Sequence, residues 1–503
     1  MTDQVIGAPL TWQGVADIAA GAQVSLSAAA LARIAHARAL VGVIAERRMV
    51  CYGVNTGVGA LANVLIDEPR QRLLSRNIIM SHACGVGRAL PVPETRAIMA
   101  SAVNNFAHGR SGVRPVVVER LVALLNEALI PVVPRSGSIG YLTHMAHVSL
   151  VLMGGGSVHA GEGVMTGADA LRRLGVAALE LEAKEGLSLV NGTPCSTGPA
   201  CVALRRMHHL LDWADLIAAM TFENIGLQPI SFASEALKFR VSEGIASTGA
   251  RMVKLLEGSE ILTRAVHHTQ DAMSLRAVPQ VHGAVRECLE STQSVLDREL
   301  ASVTDNPIVS GTLEDPVVYS QAHPIGTALA LAMDTLGIAA AKIAATSERR
   351  IDRLVNPLVS GLPAFLAQRP GVSSGLMIAQ YTALALTSEN RRLAAPSSLD
   401  GGVSSALQED EIPHATASAL KAMEIIENFS TVLAIELLAA AQAYEFQDPS
   451  LRRAPATDRA YRVVRERLTP YADDRPLAAD IATAVELIRG SDPPAVYPLV
   501  SVS

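Results

Sequence analysis

The stretch Ala415–Phe446 runs for 32 residues without a glycine or a proline. Leu420, Met423, Ile426, Val432, Leu433, Leu437 and Leu438 recur along it at helical spacing. As a single helix it would extend about 48 Å. Thr327–Thr346 is a second Ala-, Leu- and Ile-rich stretch without a Gly/Pro cluster. Helices of this length suit a bundle, and one apolar on so many sides is expected to be shared between subunits. Aromatic residues make up only 3% against 49% hydrophobic, so the core is expected to pack through Ala, Leu, Val and Ile rather than through aromatic-rich strands. The fold expected is mainly α, a large multi-helix bundle. A length of 503 residues suggests about three domains. In chain order these are a loop-rich region at 1–200, the long helices at 201–446 and a proline-punctuated helical tail at 447–503.

Composition narrows the partners. The net charge is −6, with acidic and basic residues interspersed, so neither a nucleic acid nor an anionic membrane is expected. The longest apolar run, 324–345, is interrupted by Asp334 and Lys342 and reads as a buried core helix rather than a membrane span. Cys51, Cys84, Cys195, Cys201 and Cys288 are scattered, with no C-x-x-C spacing. That pattern suits free thiols in a reducing cytoplasm. Residues 1–10 lack a basic flank followed by an apolar run, so no signal peptide is expected. His144 and His147 are three apart and share a helix face, but no third ligand stands near them, and no metal site is expected.

Chemistry is expected in the loops. Pro134–His147 is a polar turn, with Gly137 and Gly140, between two apolar segments. Tyr52-Gly53-Val54-Asn55-Thr56-Gly57-Val58-Gly59 is too glycine-rich for a helix interior. No Gly-Lys-[Ser/Thr] follows it, so a phosphate loop is not indicated. Asn77–Gly87 carries Ser81-His82, 183–193 reads A-K-E-G-L-S-L-V-N-G-T, and 270–276 reads Q-D-A-M-S-L-R. Val303-Thr304-Asp305-Asn306-Pro307 and Gln408-Glu409-Asp410 complete the set.

In this order, over roughly residues 50–485, the motifs resemble the histidine/phenylalanine/tyrosine ammonia-lyase superfamily. The implied fold is the ammonia-lyase bundle, of the fumarase/aspartase-like type, in a homotetramer. The implied catalytic group is Tyr52, Asn191, Arg276 and Gly140. Tyr52 matches the general base on a loop over the active site. Asn191 matches a residue that hydrogen-bonds the prosthetic group or the substrate carboxylate, and Arg276 matches the arginine that clamps that carboxylate. The implied substrate-binding residues are His82, Gln270, Asn306 and Glu409. Ser81-His82 and Q-E-D match the histidine-specific branch, in which Glu409 would pair with an imidazole N–H.

The family's prosthetic group is methylidene-imidazolone (MIO), formed from an Ala-Ser-Gly that follows the G-S-[VI]-G turn. Here Gly137-Ser138-Ile139-Gly140 runs directly into Tyr141, which stands where the family has Asp. MIO is therefore implied between Gly140 and Tyr141 only where that tripeptide exists. Met273 replaces a family tyrosine, and Pro194 follows N-G-T where the histidine branch often has Gln. The resemblance implies an enzyme that eliminates ammonia from an aromatic or imidazole-bearing α-amino acid to give an α,β-unsaturated acid. Two alternatives stay open: a lyase-fold chain that binds a small amino acid or a partner subunit without turnover, and MIO-independent chemistry in the same pocket. A phenol of pKa about 10 is expected to need a nearby cation or helix end to act as the base.

Overall fold

The structure, a computed structural model, describes residues 3–226, 228–263 and 269–493. It is mainly α, as the periodicity predicts, with only short strands at its loops. The end of the proline-rich tail, residues 494–503, lies outside the described residues.

Compactness divides the chain differently from its order. One unit takes 1–205, 292–334 and 396–420, and the other takes 206–291, 335–395 and 421–503. The three segments read from the sequence do not coincide with these units. The reason is that the long helices Pro194–Ile225, Val278–Leu300, Thr327–Val355 and Ala415–Ala443 each contribute residues to both.

The first unit is built from capped helices and short strand pairs. Thr11 caps Trp12–Ala19 through Gly14 N, and that helix packs on Val92–Ala107. Leu31, Ile34, Leu40 and Ile44 lie at helical spacing, and the helix they form runs over Ala28–Glu46. Ser27 accepts from Ala30 N as its cap, and Val24–Leu26 pairs in parallel with Gln4–Ile6 instead. Hydroxyl caps of this kind satisfy donors that a helix start leaves open. Two strand pairs frame the loops of interest. Val86–Ala89 lies antiparallel to Pro134–Ser136, with Val86 opposite Ser136. Ile308–Gly311 pairs with Pro316–Tyr319.

The long helices behave unlike the simple expectation. Ala415–Ala443 is buried almost throughout within a single chain, with Glu427 its exposed residue. Its apolar faces need no partner subunit for cover. The run at 324–345 is instead only partly buried, since Thr327–Val355 exposes Leu331 and Ile338. Thr327–Val355 and Ala28–Glu46 are each long and apolar enough to cross a membrane by length and composition.

Inside the second unit a carboxylate replaces aliphatic packing. Glu436 and Arg350 are both fully buried and joined by a two-pronged ion pair. Arg350 Nε donates to Oε1 at 2.6 Å and Nη2 to Oε2 at 2.9 Å. Thr221 Oγ1 and Ser347 Oγ donate to the same carboxylate at 2.9 and 2.5 Å. Four donors on one buried charge compensate its desolvation. We predict that Arg350→Met lowers unfolding stability by about 3–5 kcal/mol, because it strands Glu436. The double variant Arg350→Met/Glu436→Leu should lose less than this single one. Urea denaturation midpoints of the two check the ordering, and a double variant weaker than Arg350→Met would contradict it.

Candidate active site

The site begins where the helix Glu68–His82 ends. The Val86–Ala89/Pro134–Ser136 pairing brings the 137–142 loop beside that end, so that a Cβ on Gly137 would meet Gly85 Cα at 3.3 Å. Gly85 N donates to His147 Nε2 at 3.0 Å. His144 Nε2 meets the Arg135 carbonyl at 3.0 Å, and burial lowers its pKa to about 4. Both histidines therefore hold this loop in place. Among the described residues no group of three His, Cys, Asp or Glu could hold a metal.

The loop is closed by hydroxyls. Ser138 Oγ donates to the Tyr141 carbonyl at 3.0 Å, accepts from Gly140 N at 3.3 Å, and lies 3.0 Å from Thr416 Oγ1. Ser196 Oγ donates to the Gly140 carbonyl at 3.1 Å and lies 3.0 Å from the same threonine oxygen. Gly140 has φ +144°, and a Cβ there would press on Pro413 Cγ at 3.0 Å, so glycine is required. Leu142 follows at φ 71°, ψ −80°, with Thr143 N donating to the Tyr141 carbonyl at 3.2 Å. This is the rare, strained γ-turn. It is held by Leu142 N donating to the Val190 carbonyl at 2.9 Å.

Tyr52 enters from a loop that folds on its own side chains. Asn55 Oδ1 accepts from Cys51 N at 2.8 Å and its amide donates to the Met49 carbonyl at 2.7 Å. Gly59 N donates to Tyr52 Oη at 3.0 Å. Tyr141 Oη donates to Glu409 Oε2 at 3.2 Å, and Ser404 Oγ donates to the same oxygen at 3.2 Å. His82, half-buried, has Nδ1 3.0 Å from Ser81 Oγ. Glu409 acts electrostatically on all three neighbours. Burial raises the Tyr52 pKa, with Glu409 adding to the rise and the Gly59 N–H opposing it. Burial and then Glu409 raise Tyr141 well above an ordinary phenol. Burial lowers His82, against the pull of Ile78's backbone and Glu409. The expected cation beside Tyr52 is thus replaced by a carboxylate. The base is shifted away from ionisation first by burial, with the Glu409 charge adding to it.

The remaining site residues fall in two places. Asn191 follows Val190. Its amide donates to the Asn306 carbonyl at 2.5 Å, and its oxygen accepts from Gly192 N at 3.0 Å. Asn306 Oδ1 accepts from Gln321 N at 2.8 Å. These side chains tie the 191 turn to the 304–307 loop, and each polar atom of the Asn191 amide makes one bond to protein, which leaves one N–H and one oxygen lone pair over. Gln270 and Arg276 belong to the second unit, where the Gln270 carboxamide oxygen accepts from the Arg276 guanidinium. Arg276 Nε is buried without a partner among the described residues. The structure thus brings Tyr52, His82, Gly140, Asn191, Asn306 and Glu409 into one unit and leaves Gln270 and Arg276 in the other. Sequence reasoning missed Tyr141 as a partner of Glu409, and it missed Ser196 and Thr416. Tyr141 had a signal, its place directly after the glycine turn. The two hydroxyl residues had none.

Comparison with known proteins shows the family. The profile of the aromatic amino acid lyase family matches residues 10–466. A histidine ammonia-lyase from Symbiobacterium thermophilum is 44% identical over 492 residues, covering 97% of this chain and 96% of its own. One from Caldanaerobacter subterraneus subsp. tengcongensis is 42% identical over 472 residues, covering 93% and 92%. Among solved structures, a tyrosine aminomutase from Streptomyces globisporus superposes with TM-score 0.92 at 34% identity, covering 97% of each chain. The histidine ammonia-lyase from Trypanosoma cruzi gives 0.90 at 33%, covering 97% of this chain and 94% of its own. The fold and site define a carbon–nitrogen lyase. The chain belongs to the aromatic amino acid lyase family.

That family depends on MIO, and the residues present here do not supply it. No Ala-Ser-Gly occurs anywhere in the chain. The 138–142 turn is closed on itself by Ser138 and by the γ-turn at Leu142.

The electrostatics give a direct prediction. Glu409→Gln removes the charge that raises both phenols, so their ionisation should move to lower pH. Phenolate ultraviolet absorbance, titrated beside the Tyr141→Phe variant, separates the two tyrosines. The same substitution should lower the His82 pKa further, followed by its ring-proton NMR shifts. An unchanged tyrosine titration would remove Glu409 from this group.

Proposed function

We propose that this chain eliminates ammonia from histidine or a closely related imidazole-bearing α-amino acid. The observation that carries the reading is Glu409, whose charge acts on both His82 and Tyr52. The histidine ammonia-lyase relatives support it. Glu409 accepts an imidazole N–H, and His82, kept neutral by burial, presents a second uncharged polar edge. Tyr52 as phenolate takes the β-proton. The C–H electron pair becomes the Cα=Cβ bond, and the Cα–N pair departs with ammonia. General base catalysis supplies about 10²–10⁴-fold, and no residue of the pocket is assigned to activate the amine.

The Gly140–Tyr141 junction favours a second reading, in which the chain holds the amino acid without releasing ammonia. Calorimetry and ammonia assays on one preparation separate the two. Histidine should bind more tightly than phenylalanine by about tenfold to a hundredfold, the worth of one charge-assisted hydrogen bond. Equal or reversed affinities would sink the substrate assignment. Ammonia release from histidine, lost in Tyr52→Phe, supports elimination. Tight binding without release supports the second reading. Because the Tyr52 pKa is raised, release should climb with pH up to the alkaline limit of the fold, and Glu409→Gln should shift that climb to lower pH.

We also infer a cytoplasmic homotetramer. None of the five cysteines forms a disulfide, which suits a reducing compartment. Ile338, Ile378, Tyr381 and Leu384 are exposed on helices of the second unit, and Leu65, Leu73 and Met80 are exposed in the first. Such surface is usually covered by a partner. Light scattering should give a mass near four times the 52.8 kDa chain. A monomer at micromolar concentration would refute the assembly.

A further inference from the structure

Behind the Asn191-Gly192-Thr193 turn lies a polar group that the proposed reaction does not use. Glu299, in the last turn of Val278–Leu300, accepts from Thr193 Oγ1 at 2.5 Å, its one side-chain hydrogen bond among the described residues. Thr193 N donates to Thr304 Oγ1 at 3.2 Å. Thr304 N and Oγ1 both donate to Asn105 Oδ1, at 3.0 and 3.3 Å. Gly192 has φ +84°, and a Cβ there would meet Thr304 Oγ1 at 2.8 Å, so the turn and the 304–307 loop are pressed together. On the far side of the same turn, Asn191 reaches Asn306.

Glu299, Thr193, Thr304, Asn105 and Ser101 line a cavity of about 10 Å³. Ser101 Oγ and Asn105 Nδ2 are buried there without a partner, in residues only 4% exposed. That volume is close to what a single water needs. The atoms around it also suit water. Asn105 Nδ2 needs an acceptor, the Glu299 carboxylate needs a donor, and the Ser101 hydroxyl serves as either. A metal or ammonium cation is disfavoured, because the Asn105 amide would direct its hydrogens at it.

We propose that this cavity holds one ordered water, and that Glu299, acting through Thr193 and that water, is a positioning residue for Asn191 and Asn306. The proposal deepens the amino-acid pocket described above and rests on that reading for its functional consequence. Burial raises the Glu299 pKa while the Thr193 hydroxyl lowers it, so the single hydroxyl bond only partly offsets desolvation. A water on the free side of the carboxylate supplies the missing donor.

Crystal structures of the wild type, Glu299→Gln and Glu299→Ala test the positioning without any ligand. The wild type should show a water within hydrogen-bond distance of Asn105 Nδ2 and Glu299. Glu299→Gln should keep the Asn191–Asn306 bond, and Glu299→Ala should lose it. An empty cavity, or an unmoved Asn191 in Glu299→Ala, would overturn the proposal whatever the substrate proves to be. Calorimetry with histidine reads the consequence. Glu299→Ala should weaken binding about tenfold, with Glu299→Gln restoring most of it. In an Asn191→Ala background the Glu299→Ala change should add nothing, since both act through one turn. Full additivity would make Glu299 merely structural. A wild type that binds no histidine would overturn the pocket reading alone, leaving the crystallographic test of positioning intact.

Discussion

One buried ammonium holds the loops of this site together. Lys184, 1% exposed, donates from Nζ to the Ser111 carbonyl and to Ser188 Oγ, each at 2.8 Å, and pairs with Asp305 at 3.4 Å. Its backbone is left-handed at φ 70°, a conformation an L side chain adopts only when its surroundings impose it. Ser111 and Asp305 belong to two loops far apart in the chain, and Ser188 lies in the helix Glu185–Val190 that Lys184 opens. Burial lowers its pKa and the Asp305 charge opposes that fall. Next to it Glu185, also fully buried, accepts from Arg114 Nε at 2.8 Å and from Glu182 N at 2.8 Å. Removing one member of such a pair leaves an uncompensated charge, so the loops stand or fall as a set. The 304–307 loop then carries this order to Asn191, and Thr304 carries it to Thr193.

The pocket in front of that scaffold is governed by a single negative charge. Glu409 raises both nearby phenols and opposes the fall in the His82 pKa. The feature that suits an imidazole N–H therefore works against the proposed base. Selectivity and base strength pull in opposite directions through one carboxylate. A bound ligand that engages Glu409 would partly quench its field, so recognition of the ring and ionisation of Tyr52 are coupled by construction.

Much of this was legible in the sequence. The helices were, because 3.6-residue periodicity survives any tertiary arrangement. So were the loops carrying Tyr52 and Asn191, because motifs with glycine interrupt that periodicity, whereas His82 closes the helix Glu68–His82. Helix starts shifted where a strand competed, as at Ser27. The burial of Ala415–Ala443 was not legible. Periodicity reports how apolar a helix is and not which chain covers it. The direction of the Tyr52 shift was hidden too, since it depends on the ring's burial in the folded chain, to which a carboxylate more than three hundred residues away adds. Ser196 and Thr416 carry no local signal at all. A hydroxyl in an apolar helix looks the same whether it braces a catalytic loop or satisfies its own backbone.

The brace at Ser138 has a consequence for how the protein is made. Its partner Thr416 lies 278 residues further along the chain, and Ser196 lies 220 residues before that threonine. A ribosome that has delivered the first two hundred residues has made Tyr52, His82 and Asn191, and with them Ser196 and the Val190 carbonyl that hold Gly140 and Leu142, but not the Thr416 hydroxyl that joins Ser138 to Ser196. The nascent unit must wait for that last brace until the chain beyond Thr416 emerges. Contacts of such long range make assembly slow. A chain cut short just before that residue would carry the recognisable motifs and no finished clamp.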